Sequence, residues 1–301
     1  MDRYEQFRKA AIDRGIPSDE VDKFAEYLRF SIWLGSAAPG EKVVGQNGGV
    51  PRLPVGMEWP GGESPLPFIA SIDCAALPRV EKLPLPADGT LLFFLHHEDD
   101  HLEPLNDGVQ KFARVLYVPA DTETAVATLP CEPDAVFYHE EIPFLIPEYP
   151  LCAWVEPSLP EWIEDREDRE VEWESDIERQ RFDELEHLDE LCEVADDLGA
   201  EHDWMSTLRI GGYCQSIGGQ DDPWHQMASA GIRNRPEARD RPRSENIRLV
   251  EAEEHRLTRE WVSLAQFHTE SEVYYGCFLI SFDDLAAKRF DKMRSFSMFT
   301  E

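Results

Sequence analysis

From Gly48 to Leu95 the chain breaks its apolar runs with proline and glycine so often that a long helix is excluded and short strands are imposed. Gly48-Gly49, Pro51, Leu53-Pro54 and Trp59-Pro60 precede the run Phe68-Ile69-Ala70-Ser71-Ile72-Asp73. Leu83-Pro84-Leu85-Pro86 and the turn Asp88-Gly89 then lead into a second run, Leu91 to Leu95. Prolines at this density belong at strand ends and edges. The same texture runs from about 43 to 155, and predicts strands at 67–73, 90–96, 111–118 and 151–155. A turn at Asn106-Asp107-Gly108 joins two of them as an antiparallel pair.

Before this region, residues 2–14 and 18–34 read as a helical hairpin broken at Pro17-Ser18, so that residues 1–36 form an N-terminal helical unit and 40–301 an α+β domain. Ser18 is placed to cap, Asp19 and Glu20 lie in the first turn, and Val21, Phe24, Leu28 and Ile32 recur at helical spacing. After residue 155 the character changes. Residues 156–203 hold 21 Asp or Glu and 4 Arg, a net of −17 within a whole-chain charge of −32. Ile177, Leu185, Leu188, Cys192, Ala195 and Leu198 keep a three-to-four spacing ended by Gly199, which predicts one amphipathic helix with an anionic outer face. Arginines at 233, 235, 239, 241, 243 and 248 form a basic cluster that reads as a mobile loop over 232–248, paired internally or forming an anion site. A strand and Gly-rich loop at 203–224, a helix from roughly 245 to 258, strands at 261–268 and 274–281 and a helical tail complete the chain.

The charge disfavours nucleic acid and anionic lipid as partners and favours a basic protein; a merely solvated acidic surface is the plainer reading. Six scattered cysteines without a CxxC pattern fit reduced, buried thiols. No apolar leader or membrane-length apolar run is present, and the expectation is a soluble cytoplasmic protein.

The end of the chain echoes its opening. WVSLAQFH followed by Tyr275-Gly276-Cys277-Phe278-Leu279-Ile280 repeats the order of FIASID and DGTLLFF, with Ala70 aligned to Ala265, Ser71 to Gln266 and Gly89 to Gly276. Each glycine is read as supplying a positive φ at a turn. Two such hairpins predict a pseudo-two-fold antiparallel sheet with a cleft where they meet. Gly48-Gly49, Leu53-Pro54, Trp59-Pro60, Phe68-Ile69-Ala70, Leu83-Pro84, Gly89 and Phe93-Phe94 stand in the order of the YwqG-like family of bacterial proteins, which the chain resembles. Gly212-Tyr213 with Gln215, Leu264-Ala265-Gln266, Gly276, Phe278, Ile280 and Asp284-Leu285 extend that resemblance over roughly 40–295. Ser71, His268 and Tyr275 depart from it, at a Gln, an Asp and an acidic position. The resemblance implies an α+β fold with a pseudo-symmetric antiparallel sheet; with the residue patterns above, the expected architecture adds an N-terminal helical hairpin and the acidic helix packed outside. It implies no particular reaction, and places its members near toxin-neutralising partners.

The sequence has no GxxxxGK, no strand-GxGxxG-helix unit and no GxSxG, and no cofactor is expected. His96, His97 and His101 are the candidate metal ligands, weighed against a polar loop; Cys214 reads as structural. Trp59, Arg209, Gln215 and Gln266 are candidates to line a cleft, weighed against bonds that tie loops to the sheet. Asp183, Glu184, Glu186, Asp189 and Glu190 form the candidate partner-binding face. Two functions stand side by side: a non-enzymatic binding protein, in its sharpest form an immunity-type inhibitor on the basic site of a toxin, and a small-ligand sensor or enzyme using the cleft.

Overall fold

The computed structural model describes residues 2–62, 65–97, 100, 111–130, 147–164, 180, 183–199, 208–214, 223–239, 241–268 and 274–299. It is an α+β protein. Its strands are β1 (Arg29–Ser36), β2 (Gly45–Asn47), β3 (Arg52–Pro54), β4 (Phe68–Asp73), β5 (Thr90–Leu95), β6 (Ala113–Val118), β7 (Thr124–Val126), β8 (Tyr149–Ser158), β9 (Leu208–Gly211), β10 (Trp261–His268), β11 (Tyr274–Ser281) and β12 (Arg294–Phe299). Its helices are α1 (Arg3–Asp13), α2 (Ser18–Tyr27), α3 (Glu161–Glu164), α4 (Leu188–Asp196), α5 (Pro223–Arg233), α6 (Arg243–Glu260) and α7 (Phe282–Ala286). Among the described residues, ten strands form one antiparallel sheet in the order β12-β11-β10-β9-β1-β8-β2-β4-β5-β6, and β3 pairs with β7 alone.

That order reads alike from both ends about the central pair β1–β8, so β4–β5 corresponds to β10–β11. Both hairpins carry a one-residue bulge just before the aligned alanine, between Phe68 and Ala70 and between Ser263 and Ala265. Ala70 then faces Phe93, and Ala265 faces Phe278. The neighbouring registers make Gln46 equivalent to Arg209 and Pro150 equivalent to Trp33, so the pseudo-axis passes through the Gly35–Cys152 pair. Chain order and sheet order disagree in one respect. β1 lies beside β9 of the second unit, and β8 lies beside β2 of the first. Each unit therefore carries the leading strand of the other.

The glycine alignment shifts accordingly. Gly276 faces Phe267 in mid-strand, as Leu91 faces Ile72, and so matches Leu91 and not Gly89. Only Gly89 turns the chain, at φ +76°. Gly276 serves a close approach instead: a Cβ there would lie 2.6 Å from Leu95 Cδ2 and 2.5 Å from Phe267 Cζ. The sheet curls until the two units meet on its inner face.

That inner face holds the main core, with Ile32, Leu34, Ile72, Phe93, Leu208, Phe267 and Phe278, and α1, α2 and α4 pack onto it through Phe7, Phe24 and Leu191. The outer face is covered differently in each half. Leu53, Leu66, Phe68 and Phe94 pack beneath the small ladder in the first. Trp224, Ala228 and Leu257 of α5 and α6 cover Cys277 and Leu279 in the second.

Five sequence expectations change. The second N-terminal helix stops at Tyr27, because Leu28 turns extended at ψ 125°, and residues 29–36 form the central strand β1; the residues 1–36 are not a separate helical hairpin. Phe30, Ile32 and Leu34 alternate with Ser31 and Trp33, a strand period that begins where the helical spacing ends. Ser18 is the first helical residue after Pro17 and makes no side-chain cap. The acidic segment is not one helix: Gln180 and Asp183 are helical, residues 184–187 break the run, and a helix follows over Leu188–Asp196, while Ile177 lies outside the described residues. The Arg-rich segment is a short 3₁₀ turn, Pro236–Arg239, followed by α6, and the tail after α7 ends in β12. The predicted turn at Asn106-Asp107-Gly108 lies outside the described residues.

Candidate functional site

Cross-strand register assembles a polar and aromatic row on the outer face. Gln266 faces Arg209, Arg209 faces Trp33, and Trp33 faces Trp154. Side chains directly opposite in adjacent strands are close enough to touch. The Arg209 guanidinium carbon sits 4.1 Å from the Trp33 ring centroid, a stacked cation–π contact. The two indoles lie 6.4 Å apart at 50°. Trp33 donates its Nε1–H to Ser31 Oγ at 2.9 Å. Burial holds the Arg209 pKa below its ordinary value, while the Glu164 carboxylate pulls the other way. Gln266 and Trp154 are buried and Arg209 half-buried, so the row is a semi-sheltered platform with one cation.

Of the expected cleft residues, the fold brings Arg209 and Gln266 side by side. Trp59 belongs to the other outer cluster, where its Nε1–H donates to Leu66 O at 2.8 Å and its ring stands edge-on to Phe94. Gln215 lies outside the described residues. Trp33 and Trp154 were missed. Trp33 was assigned to a helix, and the alternation around it was the signal that would have found it. In the first unit the equivalent row is Ser71, Gln46 and Pro150, which supplies neither the cation nor the stacked rings.

The histidine cluster diverges. His96 lies edge-on to Phe112, while His97 points inward against Phe267 and is 2% exposed. Among the described residues neither ring nitrogen of His97 has a hydrogen-bond partner, and burial, with His96 nearby, pushes its pKa down to about 3. Residues 97–101 also spell H-E-x-x-H, a spacing that suits zinc when both imidazoles share an open helix face. Here the first imidazole is sealed in an apolar interior, and Asp100 accepts from Ser295 Oγ and Ser297 Oγ at 2.6 and 3.1 Å. Glu98 and His101 lie outside the described residues, and no three ligating side chains converge among those described.

Asp183, Glu184, Glu186, Asp189 and Glu190 are all exposed. Their segment is held from below by Leu185, Leu188 and Leu191. Buried Glu20 of α2 fastens its start, accepting from the His187 backbone N–H at 3.0 Å and meeting His187 Nδ1 at 3.1 Å. Lys23 approaches Glu184 at 3.5 Å, and Arg14 engages the flanking Glu193 and Asp197. The basic cluster is satisfied elsewhere, with Arg235 on Glu253 at 3.7 Å and Arg241 on Glu245 at 3.8 Å. Among the described residues its ion pairs run to its own helix, not to the acidic face.

A family model described as a domain of unknown function, DUF1963, matches residues 46–296. No curated protein matches the chain.

Proposed function

The chain belongs to the DUF1963 family of domains of unknown function, and on that premise we propose that it is a non-enzymatic binding protein whose acidic face docks on a basic protein. The observation that carries this reading is the exposure of Asp183, Glu184, Glu186, Asp189 and Glu190 on a segment anchored by three buried leucines. Anchoring matters because a charged face fixed to a core presents its field in one direction, which steers a cationic partner and speeds encounter. In its sharpest form the partner is a toxin with a basic site, and the protein an immunity-type inhibitor of YwqG-like type working in the cytoplasm. The ordered proline and glycine motifs support that narrower family reading.

The test is binding of a fluorescent oligolysine peptide to the full chain at low and high salt. Asp183→Lys, Glu186→Lys and Glu190→Lys together are expected to weaken binding at least tenfold. Reversing the exposed Glu58, Asp121 and Glu123 of the first half is the control for overall charge. Equal losses in both triple variants would sink the reading.

A second reading rests on the Arg209–Trp33 stack beside Gln266. A half-buried cation on an aromatic platform suits a small planar anion. Thermal stabilisation by aromatic carboxylates, lost in Arg209→Met and Gln266→Ala, would favour it; no shift across such a panel would remove it.

A further inference from the structure

We propose that Cys214 and Cys277 form a reversible disulfide, a redox modification site that takes a hydroperoxide as its oxidant. The inference goes beyond the acidic-face reading and does not depend on it. The two sulfurs lie 2.9 Å apart, closer than non-bonded contact ordinarily brings two thiols, and both residues are buried. They come from distant parts of the chain. Cys214 follows the end of β9, whereas Cys277 lies inside β11, opposite Gln266. The fold has brought the two sulfurs together without a metal-type cluster around them among the described residues.

The surroundings suit a bond that forms and breaks. Ser263 Oγ lies 3.9 Å from Cys277 Sγ and gives the pair a polar neighbour. Trp224 packs in the same cluster, its Nε1–H buried without a hydrogen-bond partner among the described residues. Tyr213, next to Cys214, stands edge-on to that indole. A change in sulfur oxidation state is therefore reported directly by a tryptophan.

The chemistry balances in two steps. Cys214, the less buried of the two residues, attacks the distal oxygen of the hydroperoxide as a thiolate. The O–O bond breaks, the leaving alcohol or water takes the thiol proton, and a sulfenic acid forms. Cys277 sulfur then displaces hydroxide from Cys214 sulfur, and that hydroxide leaves as water with the Cys277 proton. Each sulfur gives up one electron and the peroxide bond takes two. A low-molecular-weight thiol reverses the reaction by exchange. The bond would staple the segment entering α5 to β11 and close a loop that holds α5, α6 and β10. Long closed loops of this kind restrict the unfolded chain most.

The test treats the full-length protein with hydrogen peroxide, blocks the remaining thiols and maps the peptides. The expected result is an intact mass lower by two hydrogens and a linked peptide pair holding Cys214 and Cys277, both reversed by dithiothreitol. The oxidised protein melts several degrees higher than the reduced one, and its tryptophan emission falls. Cys277→Ser loses all of these responses. If that variant does not fold, Cys214→Ala serves in its place, and the map of the unaltered protein decides alone. A link between other cysteines overturns the proposal, as does stepwise oxygen addition with no link or no reaction at all.

Discussion

The rings of Phe93 and Phe278 lie 5.7 Å apart at 41°, each facing across its hairpin from an alanine, Ala70 or Ala265. They occupy equivalent places in the two units, so at this point the repeat meets itself through a matched aromatic pair in the inner core. The small alanines opposite leave room for both rings, and the bulge before each alanine sets that register.

Truncating either ring removes contacts made by both units. Phe93→Ala and Phe278→Ala are each expected to cost about 3–5 kcal/mol in urea unfolding. Because the rings touch, the double variant should fall short of the sum of the two by 0.5 kcal/mol or roughly more. Simple additivity would mean that the pair is not the joint between the units.

Gly276 tests the same joint from the backbone side. Gly276→Ala places a methyl against Leu95 and Phe267 and is expected to destabilise by about 1–3 kcal/mol. Leu95→Ala should relieve part of that clash, so that the Gly276→Ala cost shrinks in the Leu95→Ala background. A cost unchanged in that background would place the strain elsewhere.

His97 makes a prediction about acid. Its folded pKa, about 3, lies below the ordinary value of 6.5. Between those values the unfolded chain binds a proton that the folded chain refuses. Stability is therefore full above pH 6.5 and falls with acidification toward pH 3, by at most about 1.4 kcal/mol per pH unit from this group. His97→Phe should flatten that part of the pH–stability curve. An unchanged slope would show that His97 is not the group responsible.

Arg209 carries a milder expectation. Arg209→Lys keeps the charge but loses the planar stack on Trp33, and should cost about 0.5–1 kcal/mol with a red shift in tryptophan emission. A variant identical to the parent in both measurements would show that the stack contributes nothing.

The hairpins were legible because their punctuation is local: β4, β5, β10 and β11 stand within a residue or two of their expected bounds. The pseudo-two-fold followed from them. β1 was not legible, because Leu28 and Ile32 continue the helical spacing of Val21 and Phe24 past the true break. Only the ψ of Leu28 and pairing with β8 and β9, distant in sequence, make it a strand. The candidate row was half legible for the same reason. Arg209 and Gln266 lie near readable motifs, while Trp33 and Trp154 come from the two strands at the centre of the sheet. Gly276 shows a third limit: sequence sees a glycine and suggests a turn, whereas here its absent side chain admits Leu95.

The exchange of leading strands has a consequence for how the chain was built and how it folds. Neither copy of the repeat can complete its own sheet, so a single copy is complete only by lending β1 or β8 to a twin. An ancestor with one repeat would have been an entwined pair of identical chains, later fused into one. The fused chain inherits a folding problem from that arrangement. Its first strand finds its neighbours only in β8 and β9, both far along the chain, which makes closure of the centre a late and slow event.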